Sequence, residues 1–170
     1  LKKQNAEIFK NVITQSFGEL NFLEGKSLLS IGSEVGFATD NVVDTNNLRE
    51  SLVATAKKFL NVPFLWGGRS FFGIDDSGFV QLLYKVHGIA LPRDPEQQAL
   101  QGTARDFVEE SEAGDLAFFE DAEGKIVHVG LVLSPFEIIH ASGKVRIDSL
   151  DFSGIYNAEQ NKHTHKLRFV

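Results

Sequence analysis

Two adjacent carboxylates, Asp75 and Asp76, stand where a glycine-rich turn meets an apolar helix in the stretch FLWGGRSFFGIDDSGFVQLL, residues 64–83. The free N–H groups and the dipole of a helix start favour negative charge, so the position suits a nucleophile or an anion site. Capping and dipole compensation account for one aspartate, and less well for a pair in a Trp-Gly-Gly loop. Further on, His128 in IVHVGLVL and His140 in EIIHASG lie twelve residues apart around a Ser134-Pro135-Phe136 turn. A hairpin there puts both imidazoles on neighbouring strands. A lone strand histidine usually reads as a packed or half-exposed residue, whereas two in one hairpin read as a site. One aspartate and two histidines are also the ingredients of a metal triad, Asp76, His128 and His140, suited to iron or zinc. His87, His163 and His165 fall near element ends and are expected on the surface. Glu109, Glu110 and Glu112 read as a solvated charge cluster.

The elements that position these residues follow from periodicity and punctuation. A helix is expected from Asn47, where Asn47 and Glu50 have capping-box spacing. Leu48, Leu52, Val53, Ala56, Phe59 and Leu60 form its apolar stripe, and Pro63 stops it. A second helix should run from about Asp76 to Val86, with Gly88 as its stop. A third, short helix should start at Pro95, capped by Asp94 and ended by Gly102. From Gly114 the pattern changes to short strands, 116–119, 126–133, 137–141, 144–147 and 165–170, separated by turn signals. Helices followed by a meander of strands give an α+β fold with helices packed on an antiparallel sheet. Residues 1–45 carry short β-type runs broken by glycine, the pattern of a partial small β-module followed by a linker.

With 170 residues and 42% hydrophobic content the chain can bury a sizeable core. A net charge of −6 argues against nucleic acid or an anionic membrane surface as partner. No apolar run reaches the ~20 residues of a membrane span. With no cysteine, disulfides and thiol catalysis are excluded for the chain as written.

The segments WGGRSFFGIDDSGFVQ, LPRDPEQQA, GDLAFF, HVGLVL and IIHASGKVRID, in that order, resemble the NlpC-type cell-wall cysteine peptidases. The resemblance covers residues 48–170 and is nearest to the subgroup that hydrolyses γ-D-glutamyl–diamino acid bonds in peptidoglycan peptides. It implies a papain-like α+β domain at 46–170, preceded at 1–45 by the remnant of a bacterial Src-homology-3-type barrel. It places Asp76 where the family has its nucleophilic cysteine, makes His128 the general base, and gives His140 the role of orienting it. Asp75 would bind the free amino group of the substrate's N-terminal L-alanine, with Ser77 and Arg93 framing the pocket. Trp66 belongs to the Leu-Trp-Gly-Gly loop beside the substrate, and Phe64 stands where the family has a tyrosine near the oxyanion. A monomer acting on small peptides, with no metal and no cofactor, is implied, either at the envelope or in fragment recycling inside the cell. An aspartate at 76 is consistent with a native substitution, an engineered one, or a cysteine oxidised to its sulfinic acid. An ionised carboxylate attacks amides poorly and would repel the developing oxyanion. The chain as written is therefore expected to bind without cleaving.

Overall fold

In the strands after Gly114, side chains alternate between two apolar destinations, and that alternation builds the molecule. A computed structural model describes residues 47–105 and 107–170. The β-module and linker expected at 1–45 lie outside these residues. Helix α1 (Leu48–Lys57) is followed by a two-residue hairpin, β1 (Arg69–Ser70) and β2 (Gly73–Ile74), and by α2 (Asp76–Val86) and short α3 (Pro95–Gln98). Six strands follow, β3 (Leu116–Glu120), β4 (Ile126–Ser134), β5 (Glu137–Ser142), β6 (Lys144–Asp151), β7 (Gly154–Asn157) and β8 (Lys162–Phe169). All are antiparallel neighbours in sequence order, and β8 pairs back onto β3, with Phe119 opposite Leu167, to close a barrel. The expected α+β fold with helices on an antiparallel sheet is what forms; the closure is the added feature.

Phe118 on β3, Val129 and Leu131 on β4, and Ile139 and Ala141 on β5 face the helices, meeting Leu52, Ala56, Phe79, Val80 and Leu83. The opposite parity, Ala117, Phe119, Val132, Ile138, Leu150 and Ile155, fills the barrel. His128 and Gly130 share the parity of Val132, and His140 shares that of Ile138. The histidines therefore point to the barrel side, at the end approached by the start of α2.

Helix α2 spans the expected residues. Its C-terminus is a Schellman motif, with Ile89 N–H donating to Tyr84 O at 2.9 Å and Gly88 N–H to Lys85 O at 3.0 Å, and Gly88 has φ 78°. Several local expectations need correction, among them α3, which ends at Gln98 well before Gly102 and whose Asp94 cap makes no side-chain capping bond. Asn47 is the N-cap of α1, but its side chain makes no capping bond, so the Asn47–Glu50 capping box does not form. Helix α1 ends at Lys57, well before Pro63, because residues 58–60 tighten into i→i+3 turns and Asn61 adopts φ 70°. Strand β7 was not expected; it is four residues long and carries little pattern of its own.

Candidate functional site

The glycine-rich loop is pinned before it reaches the helix. Phe64 N–H donates to Gly143 O at 3.0 Å, Leu65 N–H to Ile74 O at 3.1 Å, and Asp75 N–H to Gly68 O at 3.2 Å. Asp75 is the N-cap of α2: Oδ1 accepts from Gly78 N–H at 2.7 Å, and Oδ2 accepts from Gly67 N–H at 2.8 Å and from Arg93. The Arg93 guanidinium also donates to Ser77 Oγ at 2.6 Å. Gln98, fully buried, donates to Ser77 O at 3.0 Å and Pro92 O at 2.9 Å. The PRDPEQQ segment thus clamps the start of α2 from the side. Gln98 had no part in the sequence reading, although its place in a motif rich in turn formers was a signal. Trp66 is 85% exposed at the loop tip, and Phe64 lies at the surface nearby.

Asp76 occupies the first turn of α2 and is buried. Its Oδ2 lies 2.9 Å from His128 Nδ1 and accepts from Val129 N–H at 3.2 Å. Burial alone would raise this carboxyl; the hydrogen bond and charge of His128, with the N–H groups of Ser77 and Val129, outweigh it and hold the group below the ordinary range. His128 Nε2 meets His140 Nδ1 at 2.8 Å, and His140 Nε2 meets Asp148 Oδ2 at 3.0 Å. Arg146 grips Asp148 with two bonds, Nε to Oδ2 at 2.7 Å and Nη2 to Oδ1 at 2.9 Å. Burial pushes His140 down to about 4, against the pull of Asp148. Burial also acts to raise Asp148, but the bonds from His140 and Arg146 leave it below the usual carboxylate value.

Gly130, directly across from His140, makes this packing possible. A Cβ there would meet Ile138 Cδ1 at 2.6 Å and His140 Cβ at 2.9 Å.

Counting protons along this row shows what it demands. Three gaps separate Asp76, His128, His140 and Asp148, and ionised carboxylates only accept. Two neutral imidazoles supply one N–H each, and the outer gaps take both. The central gap then holds two facing lone pairs, unless a further cation enters it. One extra proton in the central gap satisfies all three, its positive charge lying between the two carboxylates.

His165 is the main correction. Instead of lying on the surface, its ring stacks on His128 with centroids 4.1 Å apart and planes 25° apart, and meets His140 edge-on at 5.5 Å. Burial, reinforced by the charges of His128 and His140, pushes it down to about 3, so it is neutral. The signal was present in HTHKLRF, where alternation puts His165 on the same face as Leu167, which packs against the barrel core. The metal triad of Asp76, His128 and His140 is not assembled: Asp76 bonds one end of the His128 ring and His140 the other, so the three do not converge.

A profile of the NlpC/P60 family matches residues 61–166, well over half of the chain. The chain belongs to the NlpC/P60 family. This NlpC/P60 domain is 42% identical over 94 residues to a gamma-D-glutamyl-L-lysine dipeptidyl-peptidase of Bacillus cereus, a match covering 54% of the chain and 28% of the relative. The enzyme of the same name from Bacillus subtilis is 40% identical over 94 residues, covering 54% of the chain and 31% of the relative. The chain therefore spans about a third or less of these two relatives. Among solved structures, an NlpC/P60 family protein from Bacillus cereus superposes with a TM-score of 0.59 at 33% identity, covering 71% of this chain and 40% of that one. Among the described residues, no helix of this NlpC/P60 domain is long and apolar enough to cross a membrane.

Proposed function

We propose that this NlpC/P60 domain binds peptidoglycan peptides containing a γ-D-glutamyl–diamino acid link and does not cut them. The observation that carries the reading is the Asp76 carboxylate held 2.9 Å from His128 Nδ1 at the start of α2. The resemblance puts the attacking thiol of its active relatives at this position. A carboxylate there is a weak nucleophile towards an amide, and its fixed charge opposes the oxyanion that attack would create. With Phe64 in place of a tyrosine, one oxyanion donor is also missing, a loss of ~10²–10³ in rate.

The rest of the arrangement supports retained recognition. In this reading Asp75, its charge shared with Arg93, faces the amino group of an N-terminal L-alanine. Ser77 and Arg93 frame the pocket, while Trp66 and Phe64 give the groove an apolar wall. The continuous row from His128 through His140 to Asp148 favours a second, latent reading, a peptidase that has lost its nucleophile and one oxyanion donor but keeps its base. His128 would be the base and His140 the residue that orients it.

The test uses the tripeptide L-Ala-γ-D-Glu-L-Lys, with binding read by calorimetry and products by mass spectrometry. The unaltered chain should bind it and release no fragment; intact mass should confirm aspartate at 76. Asp76→Cys should cleave, and Asp76→Cys with Phe64→Tyr should cleave ~10²–10³ faster. Turnover by the unaltered chain, or absence of binding by a folded chain, would overturn the proposal.

A further inference from the structure

We propose that His128, His140 and His165 form a binding site for a divalent transition-metal ion, with zinc the natural occupant. One ring nitrogen from each lies within 4.8 Å of those of the other two. This set differs from the aspartate-containing triad suggested by the sequence, because Asp76 here supports a ligand instead of being one.

Both far nitrogens are already engaged as metal-site histidines require. His128 Nδ1 faces the Asp76 carboxylate, and His140 Nε2 faces Asp148, itself fixed by Arg146. Carboxylate partners on the outer nitrogens set the tautomers, aim the inner lone pairs and increase their basicity. Those inner lone pairs, on His128 Nε2 and His140 Nδ1, are the two that face each other at 2.8 Å and call for a cation between them. A metal ion can take the place of the extra proton. The third ligand, His165, has its Nδ1 occupied by Thr164 Oγ1 at 2.9 Å, leaving Nε2 to bind.

Zn–N bonds of about 2.0–2.1 Å in a tetrahedron place donor nitrogens about 3.3 Å apart. The His128–His140 pair must open by about half an ångström and His165 must turn from its stack, both side-chain motions. Three imidazoles suit zinc, copper, nickel or cobalt, and leave one tetrahedral position open. The third ligand is reachable from outside: His165 lines a cleft of about 500 Å³ together with Glu120, Asp121, Val127 and His163.

The test strips the protein with a chelator, then titrates Zn²⁺ by calorimetry and Co²⁺ by visible absorption. The expected result is one ion per chain and the intense bands of tetrahedral cobalt. His165→Phe, which keeps the ring stack and is checked for folding by circular dichroism, should weaken binding at least ~100-fold. Asp148→Asn should weaken it ~10–100-fold, and His163→Gln, a change to an exposed histidine of the same strand, should leave it unchanged. No stoichiometric uptake, undiminished uptake by folded His165→Phe, or an equal loss in His163→Gln would each overturn the site. Zinc binding is read without peptide and peptide binding without zinc, so either proposal can fail alone.

Discussion

Replacing Asp75 separates its two jobs. In Asp75→Ala the Gly78 N–H loses its cap at 2.7 Å, a loss of about 1 kcal/mol. Arg93 loses a charged acceptor; its side chain is 32% exposed, so screening trims that bond to about 1 kcal/mol. Gly67 N–H is at the surface and water can replace its bond, so it adds little. The expected loss is about 2–3 kcal/mol, a fall in Tm of roughly 5–10 °C for a domain of this size. Asp75→Asn keeps an oxygen for Gly78 but presents an amide to Gly67 and Arg93, which are both donors, so roughly half the loss should remain. Urea denaturation of Asp75→Ala, Asp75→Asn, Arg93→Met and the Asp75→Ala/Arg93→Met pair gives the cycle, with about 1 kcal/mol of coupling expected between 75 and 93. A loss under about 0.5 kcal/mol in Asp75→Ala, or no coupling, would refute the assignment of Asp75 as the clamp on α2.

Gly78→Ala should destabilise the fold by ~1–3 kcal/mol despite the ~1 kcal/mol helix preference for alanine, because a Cβ would lie 2.6 Å from both Asp75 Oδ1 and Gly68 O. Thermal unfolding checks the sign; an unchanged or raised Tm would show that the loop yields freely. Tyr84, whose hydroxyl donates to Gly114 O at 2.6 Å, is pushed up to about 12, mainly by burial. A raised folded-state value means the stability it contributes is complete below the unfolded value near 10 and is lost as pH climbs towards 12. Tyr84→Phe should therefore be less stable at neutral pH by ~1 kcal/mol and flatter than the parent between pH 10 and 12, as read from denaturation midpoints.

How much could be read from the sequence depended on how local the cause was. Helix α2 was legible to its ends because cap, apolar face and Gly88 all lie in its span or within two residues of it. The approach of His128 and His140 followed from one hairpin, in which Gly130 stands opposite His140. Asp148 and Arg146 were not legible as partners, because they come from β6 and only the β5–β6 register, His140 opposite Arg146, brings them in. His165 needed more still, since nothing near it in the sequence says that β8 crosses back to β3. Strand β7 was hidden by its length and by the glycine and asparagine at its ends, which read as a turn.

Closure of the barrel also sets an order of events in folding. His128 and His140 come from successive strands, a short-range pairing that forms quickly. His165 arrives on β8, whose bonds to β3 close the longest loop of the barrel. Long-range closures are slow to form, so a chain lacking only this step holds the two-histidine row without its third ring. The stack of His165 on His128 would then mark completion of folding. Pulsed hydrogen exchange should show the β8 amides that bond to β3 protected after those of β4 and β5.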